Sequence, residues 1–501
     1  MEIQEKENRA PERWVCRVFL WAVLLGLPLV VWNGYFDITE TKTIWFAVWT
    51  AAFLIGRAVC FAQYSDEPLR LPRDPGSIAA LGLCAVALLA SLGSGFFRES
   101  LIGHTGRYQG ALMLWLYALT YLARPGAGAR EREIYIPLLA GLALCAFTTV
   151  ANHLGWDLLG MGKKLILFDR GRYISTLGNI NFAGAYFSLT LPVAAWLLLN
   201  AGDAKHAALL GAVCVGGLWA AMAVRSESAV LGLGAAAVLL PFTLKSRPRA
   251  LRRWGLLLPG IAGAMQLYRL IAAGIFRAYL SALTRLLLHP AVSAAMALLG
   301  LDWYLLTRRR EDERLPAVLK LYGAVLLGCL VLGTAALVLL NTSLRNVPLG
   351  PLDVWLRFSD QWGTDRGKVW KYCLRLYGEF AWRDKLLGGG CGILALLDST
   401  RRIFPDAVLD AAHCEYLQIL LNWGALGLAC YLAWIGSALR EALRSGRELP
   451  MALSAGLLGY AFNALSNIAQ APGISLFFVL LAAAHAFSAE ETAQKPPISD
   501  F

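Results

Sequence analysis

Residues 318–340 read VLKLYGAVLLGCLVLGTAALVLL, with Lys320 near one edge as the sole charge. A helix that crosses a bilayer needs about 20 mostly apolar residues. This run meets that length and carries no helical periodicity of polar residues, so no face of it is built for water. The same reading recurs along the chain. Windows at 17–36, 44–63, 77–96, 107–123, 134–152, 181–200, 206–224, 226–244, 254–275, 286–306, 318–340, 413–437, 450–468 and 473–488 give about fourteen expected spans. The chain has 501 residues, 57% of them hydrophobic and 16% charged, against roughly 25% charged in soluble domains. That balance excludes a water-soluble enzyme of this length, a disordered chain, a collagen-like repeat and a small disulfide scaffold. The expected fold class is all-α: a polytopic integral membrane protein.

The charge excess is 46 − 34 = +12, and its placement predicts the topology. One set of loops carries Arg70 and Arg73; Arg124, Arg130 and Arg132; Lys205; Lys245, Arg247, Arg249, Arg252 and Arg253; Arg308, Arg309, Arg310, Arg314 and Lys320; and Arg440, Arg444 and Arg447. The alternate short loops are poorer, with Lys42, then Arg98 and Arg107, then Arg225. Lys and Arg favour the cytoplasmic side, so both termini are expected in the cytoplasm. The long connections at about 153–180 and 341–412 are then expected outside. The organisation expected is a bundle of about eleven spans over 1–340, a large extracytoplasmic loop over 341–412, about three further spans over 413–488 and a disordered tail over 489–501. The short basic loops leave no room for a nucleotide domain, and no phosphate-cradling G-x-x-x-x-G-K-[ST] is present. Six of the ten cysteines lie in apolar runs, with no C-x-x-C pair; a bridge among Cys373, Cys391 and Cys414 is the one open possibility.

Any chemistry is expected at the outer face. From Thr364 to Leu387 the apolar positions Val369, Trp370, Cys373, Leu374, Leu376, Tyr377 and Phe380 predict an amphipathic helix too polar to span. Thr364 or Asp365 is expected as its N-cap. Arg366 then falls in the first turn, beside unpaired N–H groups, where a phosphate binds well. An interfacial helix with a solvated basic face satisfies the same residues. Gly388-Gly389-Gly390-Cys391-Gly392 lets the backbone turn or approach a ligand. Asp410 is expected to cap the twelfth span, which puts His413 near the third helical position, as a candidate general base or as an interfacial anchor. Glu227 beside Arg225 is a second ionisable pair at an outward junction and a functional candidate; a mutual ion pair or a snorkelling loop satisfies the same residues. His153, His206, His289 and His485 are scattered without metal-ligand spacing, so no metal is expected. No cofactor and no nucleic-acid partner are expected either.

Four segments resemble the O-antigen ligase and polymerase superfamily of bacterial cell-surface glycan assembly. Gly106-Arg107-Tyr108-Gln109-Gly110 is similar to its G-R-Y-x-G, and Gly178-Asn179-Ile180-Asn181-Phe182 to its G-N-x-N-[FY]. Arg366 with Trp370, followed by Leu386 to Gly392, resembles its R-x-x-x-W and L-x-G-x-G block. Ala412-His413-Cys414-Glu415-Tyr416-Leu417-Gln418 resembles its A-H-N-E-Y-L-Q. The likeness covers about residues 95–440. It departs from the family at Cys414, where Asn is usual, and at Glu227, where an arginine is usual, with Arg225 two residues earlier as a substitute. Fourteen spans also exceed the twelve or so usual for ligases.

The resemblance implies a metal-independent inverting glycosyltransferase in the cytoplasmic (inner) membrane of a bacterium. Its donor is a glycan on undecaprenyl pyrophosphate, and its acceptor is a hydroxyl on a glycan, lipid or protein; membrane lipids are its other partners. Pyrophosphate is already a good leaving group, so arginines suffice to neutralise it. The resemblance makes His413 and Arg366 catalytic, and Arg225, Glu227, Arg107, Asn179, Trp370, Gly390, Glu415 and Tyr416 substrate-binding. Two rivals remain: a fourteen-span lipid-linked oligosaccharide flippase, and a peptidoglycan polymerase of the shape, elongation and division type, which would use an aspartate such as Asp398, Asp406 or Asp410.

Overall fold

The computed structural model describes residues 10–64, 72–126, 129–165, 171–401, 403–404 and 409–489. The expected tail at 489–501, Arg70 and Asp406 therefore lie outside the described residues, Ala489 excepted. The chain is an all-α, multi-pass membrane protein. Eleven helices are long and apolar enough to cross a membrane, and the shorter apolar helices Ala111–Ala123 and Glu227–Thr243 join them. Among the described residues the sheet is one antiparallel pair, Tyr173–Ile174 with Gly178–Asn179.

In chain order the main helices are α1 (Ala10–Trp21), α2 (Ile38–Tyr64), α3 (Pro75–Gly93), α4 (Ala111–Ala123), α5 (Arg132–His153), α6 (Ile180–Asn200), α7 (Ala204–Val224), α8 (Glu227–Thr243), α9 (Pro248–Arg269), α10 (Pro290–Arg308), α11 (Leu315–Asn341), α12 (Trp362–Glu379), α13 (Trp382–Leu387), α14 (Ile393–Arg401), α15 (Glu415–Ser445), α16 (Glu448–Asn463) and α17 (Ala471–Ala489). Each of the fourteen expected windows holds a helix. The first differs most from expectation. Continuing through a π turn at Ala22–Gly26, it ends at Leu29 rather than near 36. Pro28 removes a backbone donor there. Because the helix stops at Leu29, the carbonyls of Leu27, Pro28 and Val30 have no intrahelical donor, and they accept from the fully buried Lys42 ammonium at 2.7, 3.0 and 3.0 Å.

The bundle is graded from core to rim. In α17 94% of the apolar window is buried and in α6 89%, but in α11 none is. The stretch that announces a membrane protein most strongly is thus the one that protein covers least, as expected of a helix solvated by lipid on all sides. At the centre small residues bring backbones together. A Cβ on Gly456 would lie 2.0 Å from Leu189 O, and one on Gly459 2.2 Å from Ser188 O.

The amphipathic helix forms, but its apolar stripe meets protein. Val369, Cys373 and Leu376 are buried in a cluster with Leu394, Leu409, Ala412 and Leu421. The glycine run has a packing role. α15 kinks at Gly424 (φ 65°, ψ −171°), which frees carbonyls of the preceding turn. Gly389 N–H donates to Leu421 O and Gly390 N–H to Asn422 O, both at 3.0 Å. The kink is sealed by backbone from outside the helix. All ten cysteines are free thiols, so no bridge joins Cys373, Cys391 and Cys414.

This kink generates a stability prediction. Gly424→Ala must hold a left-handed residue, a cost of roughly 1–2 kcal/mol, with its Cβ 2.3 Å from Leu386 O. Gly436→Ala, in the same helix with nothing within 4 Å of its Cβ, is the control. Thermal unfolding in detergent should fall clearly for the first and hold or rise for the second.

Candidate functional site

At one end of the bundle, loops from four distant parts of the chain converge. His413 is not the third residue of its helix. Helix α15 begins at Glu415, with Cys414 at the cap position and no side-chain capping bond, so His413 lies just before it, in a left-handed conformation at φ 51°. Asp410 does not cap the helix either. It binds Arg107 as a fork, Nε to Oδ2 at 2.8 Å and Nη2 to Oδ1 at 2.9 Å. Such bidentate pairs fix orientation as well as charge. The His413 loop is held from both sides. Ala412 N–H donates to Gln418 Oε1 at 2.8 Å, and Trp370 Nε1 donates to Ala412 O at 3.1 Å. The second bond ties α12, and with it Arg366, to the residue before the histidine.

Neither Thr364 nor Asp365 has N-cap geometry. Gly363, Thr364 and Asp365 are all left-handed, and regular helix resumes at Arg366. Two non-glycine residues in that region store strain that the surrounding contacts must hold. The turn folds its own carbonyl onto Arg366: Nη1 donates to Gly363 O at 2.8 Å and to Glu227 Oε2 at 3.3 Å. The Arg366 side chain is 10% exposed and that of Glu227 40%. Arg366 Nε is buried with no hydrogen-bond partner among the described residues.

The electrostatics follow from this crowding. Burial, then the Arg366 and Arg107 guanidiniums, push the His413 imidazole down to about 4, against the opposing pull of Asp410. At neutral pH the ring is therefore uncharged. Burial alone would raise the Asp410 carboxyl, but the Arg107 hydrogen bond and charge outweigh it and hold the group below its ordinary value. Burial lowers Arg366, with Glu227 opposing.

The remaining expected site residues are placed as follows. Arg225 is left-handed at φ 58°; its Nη2 donates to Gly171 O at 2.9 Å, its guanidinium lies 5.4 Å from the Tyr279 ring, and its Nε has no partner among the described residues. Asn179 caps α6 by accepting from Asn181 N–H at 2.9 Å. Gly390 packs against Ser94 and Ser100. Glu415 is buried and accepts from the hydroxyls of Tyr431 and Tyr460. Tyr416 donates to Ala461 O at 2.8 Å. These last four support the framework. A small cavity of about 80 Å³ sits behind the Arg107–Asp410 pair, reaching Glu415, Gln418 and Asn422; neither His413 nor Arg366 lines it. Asp410 as the partner of Arg107 and Gln418 as the clamp on the loop are missed by sequence reasoning. The first pair is 303 residues apart, and no local pattern joins it.

Among the described residues, one group of side chains has metal-compatible spacing: Asp74, Glu441 and His485. It lies at the opposite end of the bundle, where His485 Nδ1 meets Glu441 at 2.6 Å and Arg124 meets Asp74 at 3.3 Å. It joins α3, α4, α15 and α17 as a charge network. Compared with protein-family models and with curated proteins, the chain has no significant match in either.

The charge arrangement around His413 predicts a signed pH response. Carbethoxylation of His413, followed by peptide mass spectrometry, should reach half its maximal rate near pH 4. Arg366→Gln removes a repelling cation and should move that midpoint up. Asp410→Asn removes the attracting carboxylate and leaves Arg107 unpaired, so it should move the midpoint down. Midpoints unchanged in both variants would show that the ring is not coupled to these groups.

Proposed function

We propose that the chain is a membrane glycosyltransferase of the O-antigen ligase and polymerase type. It moves a glycan from undecaprenyl pyrophosphate to an acceptor hydroxyl at the outer face of the bacterial cytoplasmic membrane. The observation that carries the reading is a buried, uncharged imidazole at His413 close enough to the Arg366 and Arg107 guanidiniums to be depressed by both, with Arg366 Nε unpartnered among the described residues. A neutral base beside an anion-binding group is the pair this reaction requires. Positive-inside counting supports cytoplasmic termini and an outward site, and the eleven long apolar helices with two shorter ones support a count near the fourteen expected spans.

In the proposed step the acceptor oxygen attacks the anomeric carbon and inverts it. Its proton passes to His413, the bond from the anomeric carbon to the phosphate oxygen breaks, and undecaprenyl pyrophosphate leaves. The same arginines that depress His413 would be neutralised by a bound pyrophosphate. The base therefore strengthens when the donor arrives. Glu227, more exposed than its partner, holds Arg366 until phosphate oxygens replace it. Arg225, with its own unpartnered Nε, is the second phosphate contact.

The rival that relies on an outer aspartate is less well served. Asp398 is buried and accepts the Ile403 and Leu409 N–H groups at 2.9 and 2.7 Å, and Asp410 is taken by Arg107.

In cells that display a surface polymer, His413→Ala should lower polymer transfer by about 10²–10⁴-fold at normal protein level. Arg366→Lys, which keeps charge but loses the planar fork, should impair transfer substantially. Unchanged polymer attachment in His413→Ala, or donor accumulating on the inner leaflet of a deletion strain, would overturn the reading; the second outcome favours a flippase.

A further inference from the structure

A second cavity, about 490 Å³, opens between α6, α7, α8 and α9. It lies toward the end where α6 and α8 finish and α7 and α9 begin, opposite to His413. Its walls are hydrocarbon, with Leu191, Leu198, Leu233 and Leu257 among them, and among the described residues Arg253 is its one charged lining residue. The glycines of this cavity behave unlike those of the core. A Cβ on Gly211 of α7 or on Gly260 of α9 would meet nothing within 4 Å. At Gly456 and Gly459 the missing side chain lets two helices touch; at Gly211 and Gly260 it leaves open space. An apolar space of this size inside a bilayer is not stable as water and fills with hydrocarbon.

The rim at this end is basic. Lys205, Lys245, Arg249 and Arg253 are all exposed, and none has an ion-pair partner among the described residues. Arg253 Nη1 donates to Leu199 O at 3.3 Å and Ala201 O at 3.0 Å, which anchors the guanidinium at the cavity mouth. The nearby acid, Asp203, is already engaged by His206 at 2.5 Å and by the N–H groups of Lys205 and His206 at 3.0 Å. Neighbouring Arg247 and Arg252 are paired with Glu448 and Asp312. A guanidinium at the mouth of a hydrocarbon groove, with three more cations on the adjoining helix ends and none of the four in an ion pair among the described residues, is complementary to a lipid with an acyl chain and an anionic head.

We propose that this groove is a binding site for an anionic phospholipid, phosphatidylglycerol or cardiolipin, drawn from the leaflet that the basic loops face. One acyl chain fills the space kept open by Gly211 and Gly260, and the phosphate sits at Arg249 and Arg253. The site is independent of the proposed transferase chemistry at the other end of the bundle, and it stands or falls separately from it.

The test is the lipid that stays with the protein. The full chain is purified in a mild detergent and its retained lipid is measured by native mass spectrometry and by extraction. The wild type should carry phosphatidylglycerol or cardiolipin enriched several-fold over the host membrane. Gly260→Trp, whose Cβ has open space and whose ring is large enough to fill the groove, should lose the bound lipid. Arg249→Gln with Arg253→Gln should retain lipid in the bulk membrane ratio. Gly436→Trp, on a helix outside the groove, should match the wild type. If Gly260→Trp does not give folded protein, Gly211→Leu on α7 carries the same test. Retained wild-type lipid in the bulk ratio, which would mean hydrocarbon filling without head-group recognition, overturns the proposal. So does retention unchanged in both the groove and the rim variants.

Discussion

Hydrocarbon offers no hydrogen bonds, so every backbone group inside a bilayer must find its partner in the protein. This constraint shapes each break in the bundle. Where α1 runs into Pro28, the Lys42 ammonium takes three carbonyls. Where α15 kinks at Gly424, the N–H groups of Gly389 and Gly390 take the carbonyls of Leu421 and Asn422. The second repair has a consequence beyond stability. It pins the glycine run to α15 just inside the helix end that carries His413, and so ties the loop bearing α12 and α13 to the mouth of the bundle.

The residues at that mouth are held in conformations they would not choose alone. Tyr108, Thr364, Asp365 and His413 all have positive φ, and all lie beside the Arg107–Asp410 or Arg366–Glu227 pairs. Strain of this kind persists only where the surroundings over-determine it. The clamps are visible: Trp370 and Gln418 on Ala412, Asp410 on Arg107, Gly363 on Arg366. Together they fix an uncharged imidazole near two cations, an arrangement that repels protons and attracts anions. The proposed glycosyl transfer is the reaction class that uses both properties at once.

The two ends of the bundle use charge differently. At the His413 end Arg107 and Arg366 pair with Asp410 and Glu227 across long sequence separations, so that removing one partner changes the electrostatics of the ring. At the other end many cations crowd short loops. Some tie helices together, as Arg124 to Asp74 and Arg247 to Glu448. Others, among them Arg249 and Arg253, have no ion-pair partner among the described residues, and these lie at the end where the proposed lipid groove opens.

Much of this was legible in the residues themselves. Apolar runs such as 318–340 determined the class, because length and hydropathy alone separate a spanning helix from a soluble one. The stripe Val369, Cys373 and Leu376 determined an amphipathic helix, because its periodicity is local. Arg366 stood out in the first turn of the amphipathic outer-loop helix and His413 at the start of the twelfth span. Their surroundings were another matter. That Asp410 binds Arg107 instead of capping α15, that the glycine run seals a kink, and that Glu415 serves two tyrosines were decided only by the tertiary structure. A cap, a turn or a stripe depends on neighbours a few residues away. An ion pair across 303 residues, or a carbonyl freed by a kink and taken by a distant N–H, exists only once packing has brought the partners together.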